Sequence, residues 1–132
     1  MNATLVSGDV SAAHDDRPTV YLAAPFSHPD PAVRKVRFDA ACQTAAALIR
    51  SGIHVFSPLS HSCAIALYGL PTDWSFWESF DRRMLAACDE LVVLQLDGWR
   101  ESRGVQAEID LAIELDLPIR YLDPACIDEA LA

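Results

Sequence analysis

Hydrophobic residues along this chain collect in four short runs, and the longer stretches between them have a helical period. The runs are residues 19–24 (TVYLAA), 53–56 (IHVF), 91–96 (LVVLQL) and 118–122 (PIRYL). Short and nearly uniform apolar runs are typical of strands that are buried on both faces of a parallel sheet. The pattern therefore predicts four such strands.

Helices are predicted between these strands. Asp30 is a good N-cap residue and Pro31 suits a first helical turn, so a helix is predicted over residues 32–50, ended by Gly52. Its available inner-face residues are Val33, Val36, Ala40, Ala41, Leu48 and Ile49. The later helical segments are a short one over residues 61–68, a third over 74–88 capped by Asp73, a fourth over 103–115 and a terminal turn over 127–131.

Strands that alternate with helices predict an α/β fold, a doubly wound (Rossmann- or flavodoxin-like) parallel sheet of four to five strands flanked by helices. We expect residues 1–18, which mix small and acidic side chains without a period, to form a flexible N-terminal segment before a single domain over residues 19–132. Ligands of such sheets bind beyond the carboxyl ends of the strands. The loops at residues 25–29, 58–71 and 97–102 should therefore share one mouth.

The fourth helix has an acidic residue on its apolar side. Its polar face carries Arg103, Gln106, Asp110 and Glu114, and its apolar stripe carries Val105, Ile109, Ala112 and Ile113. At 100° per residue Glu108 lies within the apolar stripe. A carboxylate in that position is costly to desolvate unless a partner or a function accounts for it.

The third helix repeats this anomaly. Its predicted inner stripe consists of Phe76, Trp77, Phe80, Met84, Leu85 and Cys88, and Asp81 lies inside that stripe. Two inward carboxyl groups near strand-end loops indicate a functional pair. A capping or ion-pairing role for each acid stays open. Asp89 ends the third helix just before a strand, so we interpret it as a connection residue.

The net charge of the chain excludes some classes of binding partner. The 132 residues carry a net charge of −9, which disfavours binding to nucleic-acid polymers and anionic membranes.

The four cysteines include no CxxC pair and lie among apolar residues, as reduced core cysteines do. Membrane-span and signal-peptide patterns are missing, so we expect a cytoplasmic protein. His54, His61 and Cys63 have no metal-ligand spacing and GxGxxG is absent, so neither a metal nor another cofactor is expected.

Three stretches of the chain resemble the nucleoside 2-deoxyribosyltransferase-like superfamily. They are VYLAAPFS at residues 20–27, Asp81 and Asp89 followed by ELVVL, and SRGVQAE at residues 102–108. The first and third also look closest to a small uncharacterised bacterial branch of this superfamily. Departures from its nucleotide hydrolases are the first loop, which is Ala24–Pro25–Phe26–Ser27 here, and Gln106 in place of a second glycine.

The resemblance implies a role for each matched residue. Glu108 would attack the anomeric carbon, Asp81 would hydrogen-bond the ribosyl group or base, and Tyr21 would support the nucleophile. Ser102 would bind a 5′-phosphate with the amides that begin the fourth helix, near Gly104. The further substrate-binding candidates are Pro25, Phe26, Ser27, His28 and Trp77.

These observations predict cleavage or transfer at the N-glycosidic bond of a nucleoside or nucleoside 5′-monophosphate, with hydrolase and transferase both open. Two alternatives are a nucleotide-binding sensor without catalysis and a structural oligomeric α/β module. The aromatic residues of the third helix exceed what one small sheet face covers, so we expect a homodimer or higher homo-oligomer with its interface near Trp77.

Overall fold

The computed structural model describes residues 15–131 of the chain. Most of the N-terminal segment that the sequence predicts to be flexible lies outside this range. None of the helices within the range is both long and apolar enough to cross a membrane.

A parallel sheet forms the centre of the fold. Its strands are β1 (Thr19–Ala23), β2 (His54–Phe56), β3 (Glu90–Leu94) and β4 (Ile119–Leu122), in the spatial order β2-β1-β3-β4. Every neighbouring pair is parallel, and Tyr21 of β1 lies beside Phe56 of β2 and Leu91 of β3. The predicted α/β class with a parallel sheet of four strands is therefore confirmed.

Helices flank this sheet. They are α1 (Pro31–Arg50), a π-helical turn (Leu59–Cys63), α2 (Ala64–Ala66), α3 (Trp74–Ala86), α4 (Arg103–Glu114) and α5 (Pro124–Leu131). Asp30 caps α1 as predicted, because its carboxylate accepts from the Ala32 amide at 2.9 Å. Asp73 precedes α3, but its carboxylate accepts from the Ser75 hydroxyl and makes no cap bond to the helix backbone.

Two core clusters lie on opposite faces of the sheet. The strand alternation of β1 sends Tyr21 and Ala23 into the cluster beneath α3 and α4, with Leu85 and Val105. It sends Val20 and Leu22 into the cluster beneath α1, which α1 enters with Ala41 and Ala45. Tyr21 is therefore the large β1 side chain that faces the two helices with inward acids.

Four predicted inner-face residues of the helices are wrong, and one of them is Phe76 of α3, which is 48% exposed. Val36 and Ile49 of α1 are 66% and 54% exposed, because α1 packs on the sheet through the small side chains of Ala41, Thr44, Ala45 and Ala47. Ile113 is 62% exposed because α4 is rotated so that Glu108 and Leu111 lie on its buried side.

The ends of several elements also differ from the predicted bounds. Helix α3 ends at Ala86, and the predicted short helix begins as a π-helical turn at Leu59. The terminal helix begins at Pro124, where the Asp123 carboxylate accepts from the Ala125 amide at 2.9 Å. Cys126 is exposed, which corrects its expected place in the core.

Asp89 connects α3 to the sheet, as predicted. Its carboxylate accepts from the Thr19 amide at 2.8 Å, and its own amide donates to the Thr19 carbonyl at the same distance. The start of β1 is thereby tied to the entrance of β3.

Candidate active site

A cleft of about 640 Å³ opens beyond the carboxyl ends of the central strands. The loop after β1 contributes Phe26, Ser27 and His28 to its walls, and the segment after β2 contributes Pro58, Leu59, Ser62 and Cys63. The loop after β3 contributes Gly98, Glu101 and Ser102. The three loops that the sequence predicted to share one mouth therefore line the same cleft, as the strand order of a doubly wound sheet requires.

The floor of the cleft holds a tyrosine–glutamate pair. Glu108 projects from the first turns of α4 and lines the cleft, although the residue is only 5% exposed. Tyr21 is fully buried below it, and the phenol donates a hydrogen bond to Glu108 Oε2. The regular alternation of β1 and the helical period of α4 thus bring together two side chains that are 87 residues apart in the chain.

Burial makes the Glu108 carboxylate a stronger base than an exposed carboxylate. Burial raises the pKa of Glu108 to about 8, the Tyr21 hydrogen bond opposes that rise, and the charge of Asp81 adds to it. Burial also raises the pKa of Tyr21 well above its usual range, with the negative charges of Glu108 and Asp81 adding to the effect. The Tyr21 phenol therefore keeps its proton and can donate it in a hydrogen bond to the glutamate.

Asp81 contributes a second carboxyl group to the cleft. It lies on α3 and is 6% exposed, and burial raises the pKa of its carboxyl to about 6. Asp81 Oδ1 is buried and finds no hydrogen-bond partner among residues 15–127. Buried polar atoms in folded proteins are nearly always paired, so this oxygen is available to a ligand.

A row of aromatic rings connects the wall of the cleft to Tyr21, and Trp77 is the ring of this row that lines the cleft itself. Trp77 meets the edge of Phe80 at 5.9 Å, and the imidazole of His61 stacks on Phe80 at 5.1 Å. Phe56 continues the contact to Tyr21, with ring centroids 5.6 Å apart. The indole Nε1 of Trp77 donates to the Pro71 carbonyl at 2.8 Å, which fixes the ring at the rim of the cleft.

Similarity to known proteins agrees with this architecture. The sequence profile of a family described as domain of unknown function (DUF1937) matches residues 18–122. The chain belongs to this family. The family is part of the nucleoside 2-deoxyribosyltransferase-like superfamily, so the resemblance identified from the sequence motifs is confirmed. A search among curated protein sequences gives no significant match.

A solved structure with a similar fold is the 2-deoxyribosyltransferase of the psychrotolerant bacterium Bacillus psychrosaccharolyticus. It superimposes with a TM-score of 0.59 at 20% sequence identity, over 80% of this chain and 72% of that one. At this identity the likeness concerns the fold.

Most of the predicted site residues of this DUF1937 domain lie around one cleft. Those that line it are Phe26, Ser27, His28, Trp77, Asp81, Ser102, Gly104 and Glu108. Tyr21 lies beneath the floor. Pro25 does not line the cleft, because its side chain, two residues beyond β1, is fully buried. Pro25 is therefore corrected from a binding residue to a core residue.

The start of α4 differs in detail from the expectation. Ser102 is the N-cap, and its hydroxyl accepts from the Val105 amide at 3.2 Å. The guanidinium of Arg100 lies 4.8 Å above the ring of Trp99, whereas Arg103 lines the cleft. Arg103 also helps to lower the pKa of Asp73, after the larger effect of the Ser75 hydroxyl.

Sequence reasoning missed Arg37, which lines the cleft from α1. Nothing in the helical pattern distinguishes Arg37 from the other cationic residues of α1, and only the approach of two loops to this helix gives it partners. Within the described part of the chain, no group of three or more His, Cys, Asp or Glu side chains is arranged to hold a metal ion.

Proposed function

We propose that this protein cleaves the N-glycosidic bond of a nucleoside or nucleoside 5′-monophosphate with Glu108 as the nucleophile. The observation that carries the proposal is a buried carboxyl group that faces the cleft and is held from behind by the Tyr21 phenol. Orientation of a nucleophile by a fixed neighbour is the usual requirement for covalent catalysis. The fold shared with a 2-deoxyribosyltransferase supports a nucleoside as the substrate.

The first chemical step breaks the bond between C1′ and the base nitrogen. Tyr21 binds Glu108 Oε2, so we assign the attack on C1′ to Oε1. The bonding electrons leave with the base, which takes up one proton, and a bond forms between C1′ and the glutamate. Positive charge on the sugar in the transition state is stabilised by the ionised carboxylate, as in retaining glycosidases.

Glu108 must be ionised for this attack. With a pKa of about 8, roughly a tenth of the free protein carries the carboxylate at pH 7. Positive charge that develops at C1′ favours the carboxylate, since an opposite charge nearby lowers the pKa of an acid. The ionised form of Glu108 is therefore more favourable in the transition state than in the ligand-free protein.

Asp81 is assigned to the proton that the departing base requires, or to a hydrogen bond with the ribosyl group. Its pKa of about 6 lets the carboxyl exchange a proton near neutral pH, and the unpaired Oδ1 has room for a ligand partner. In the second step, water or a second base attacks C1′, and Glu108 leaves as the carboxylate. Water gives a hydrolase, and a second base gives a transferase.

The sugar 5′ end is assigned to the start of α4. A helix N-terminus favours an anion by its dipole and its unpaired amides, and Arg103 adds a positive charge there. The effect of one exposed helix terminus predicts that a 5′-monophosphate binds about two- to fivefold more tightly than its nucleoside. Calorimetry on the matched pair checks this, and equal affinities would contradict a phosphate subsite.

A homo-oligomer is part of the proposal. Phe76, which lies between the cleft-lining residues Trp74 and Trp77, is 48% exposed, and Tyr68 is 90% exposed. Exposed aromatic residues are enriched at interface cores, which supports a second copy at this rim. Light scattering should give a mass of at least twice 14.5 kDa at micromolar concentration. A monomer with full activity would contradict this expectation.

The noncatalytic sensor is the weaker alternative. It requires Glu108 to be ion-paired and inaccessible, yet within residues 15–127 the ion pairs involve other acids, and Glu108 lines the cleft. A purely structural module gives no reason for an unpaired buried oxygen on Asp81. Both alternatives predict that no base is released from any substrate.

The decisive experiment incubates the protein with a panel of nucleosides and 5′-monophosphates and separates the released base by chromatography. Intact-protein mass spectrometry of the quenched reaction should detect an adduct of one ribosyl or deoxyribosyl group. Glu108→Gln should lack both signals. The matched control is Glu114→Gln, an exposed glutamate of the same helix, which should retain them. Base release by Glu108→Gln at the normal rate would exclude the proposed nucleophile.

A further inference from the structure

Arg37 joins two walls of the cleft that are far apart in the sequence. Its side chain reaches from the middle of α1 and donates through Nη1 to the Ser27 carbonyl at 2.9 Å. Through Nη2 it donates to the Asp97 carbonyl at 2.7 Å. Ser27 belongs to the loop after β1 and Asp97 to the loop after β3, so one guanidinium bridges the two loops.

Gly98 provides the space for this bridge. A Cβ atom at Gly98 would lie 2.5 Å from Arg37 Nη2, which is closer than two such atoms approach in proteins. Gly98 also has a φ of +90°, a conformation that glycine adopts at little cost. The residue next to the accepting carbonyl is thus suited to the guanidinium by its lack of a side chain.

Local hydrogen bonds shape the loop after β3, and none of the backbone hydrogen bonds among the described residues joins it to the loop after β1. In the loop after β3 the Trp99 amide donates to the Leu96 carbonyl at 3.0 Å, and the Glu101 amide donates to the Gly98 carbonyl at 3.2 Å. These bonds do not fix the position of the loop after β3 relative to the loop after β1. The Arg37 bonds supply that relation, and charged donors make stronger hydrogen bonds than neutral ones.

We propose that Arg37 is a positioning residue that fixes the separation of the two ligand loops and so preorganises the cleft for its substrate. The identity of the substrate rests on the proposed function, whereas the bridge between the loops does not. Ser27 on one side and Ser102 on the other line the cleft, so a change in loop separation changes both walls at once. Preorganisation of this kind lowers the entropy lost when a ligand binds.

Arg34 offers a matched control on the same helix. It donates to the carbonyls of His28 and Pro29, which both belong to the first loop. Arg34 therefore supports one loop, and Arg37 connects two. A substitution of either arginine removes one cation from α1, but only the substitution of Arg37 removes a contact to the loop after β3.

Hydrogen–deuterium exchange of the ligand-free protein tests the bridge without any assumption about activity. In Arg37→Ala the amides of residues 97–102 should exchange about tenfold faster than in the wild type, since exchange follows the free energy of local opening. Arg34→Ala should leave this segment unchanged. Arg37→Lys should behave like Arg37→Ala, because one ammonium group cannot match the two-nitrogen fork of a guanidinium. Equal exchange in Arg37→Ala and the wild type, or equal effects of the two alanine variants, would overturn the proposal.

Gly98→Ala gives an independent test in a double-mutant cycle. The added methyl group should displace the Arg37 guanidinium and speed exchange over residues 97–102 in the wild-type background. In the Arg37→Ala background the same change should add only the backbone strain, so the two effects should be non-additive. Gly69→Ala is the control for strain, because Gly69 has a φ of +102° and nothing within 4 Å of its added Cβ. Full additivity would contradict the bridge.

Kinetics then separate this proposal from the proposed function. With a nucleoside that the wild type cleaves, Arg37→Ala should raise KM about tenfold and change kcat less than threefold, as expected for lost ground-state positioning. If kcat falls and KM stays constant, Arg37 acts on the chemistry and the positioning role is wrong. If the wild type releases no base from any substrate, the proposed function fails, while the exchange results still decide the bridge.

Discussion

The two buried carboxyl groups of the cleft differ in what holds them. Glu108 on α4 has a fixed donor, since the Tyr21 phenol binds one of its oxygens. Asp81 on α3 has a buried oxygen with no partner in the described range. The pKa of Glu108 is about 8 and that of Asp81 is about 6, so the group with a donor is also the weaker acid. More complete desolvation outweighs the hydrogen bond.

This difference separates two kinds of role. A carboxyl group held from behind has a defined direction, which suits a group that must form a bond to carbon. A carboxyl group with an unpaired oxygen can accept a proton from the ligand or donate one to it, depending on which group of the ligand lies beside it. Burial by itself does not distinguish these roles, and the neighbouring side chain does.

Glu108→Gln should produce the largest change. We expect base release to fall by at least about a thousandfold, because a covalent step loses its nucleophile. The fold should be retained, since glutamine has nearly the same volume and its oxygen still accepts from Tyr21. Circular dichroism checks the fold, and base release measured by chromatography checks the activity. A smaller loss than that of Asp81→Asn would reverse the assignment of the two acids.

Asp81→Asn should have a smaller effect, a loss of about 10–100-fold in kcat, because a general acid or hydrogen-bonding group contributes less than the nucleophile. The loss should be smallest for a substrate whose base is a good leaving group, which needs little help from a proton. A panel of nucleosides with bases of graded pKa measures this dependence. An equal loss across the panel would place Asp81 on the sugar instead of the base.

The free energy of unfolding should depend on pH because the Glu108 carboxyl group titrates differently in the folded and unfolded states. A carboxyl group whose pKa is raised from 4.5 to about 8 in the folded state stabilises the protein fully below about pH 4.5. That stabilisation is lost as the pH rises through about 8. Glu108→Gln removes the titration, so its free energy of unfolding relative to the wild type should be higher at pH 8.5 than at pH 5 by about 4 kcal/mol, since each unit of pKa difference corresponds to about 1.4 kcal/mol.

Urea unfolding at the two pH values measures this difference. Asp110→Asn, an exposed acid of the same helix, should show no such dependence on pH. If Glu108→Gln is less stable than the wild type at pH 8.5, the carboxylate has a structural role instead of a functional one.

Tyr21→Phe should produce the smallest change in activity. The phenol hydrogen bond lowers the pKa of Glu108, so its removal should raise that pKa by about one unit and shift the rising limb of kcat/KM to higher pH. At pH 7 the variant should be about tenfold slower than the wild type. At pH values above the rising limbs of both profiles, its rate should approach that of the wild type. Tyr121→Phe is the control, because Tyr121 is half-exposed and packs on Trp99. An unshifted profile would contradict the coupling of Tyr21 to Glu108.

The strands and the long helices follow from local patterns. Residues 19–24 and 91–96 are apolar throughout or nearly so, and the central strands β1 and β3 form within one residue of where these runs begin, with most of their positions buried. The inward acids were also predictable, because a helix has one period and a charge that violates it is visible in the sequence. The face of α1 was mispredicted because its alanines, which are weakly hydrophobic, make the close contact with the sheet.

The sequence by itself determined the parallel α/β architecture and the unusual positions of Glu108 and Asp81, because the strand and helix periods are local properties of the chain. Only the tertiary structure decided which partners these residues have. Tyr21 lies beneath Glu108 because α4 packs on the face of the sheet to which Tyr21 points. Arg37 bridges Ser27 and Asp97 because two loops from different strands meet beside α1. Such contacts join residues up to 87 positions apart, and no local period encodes them.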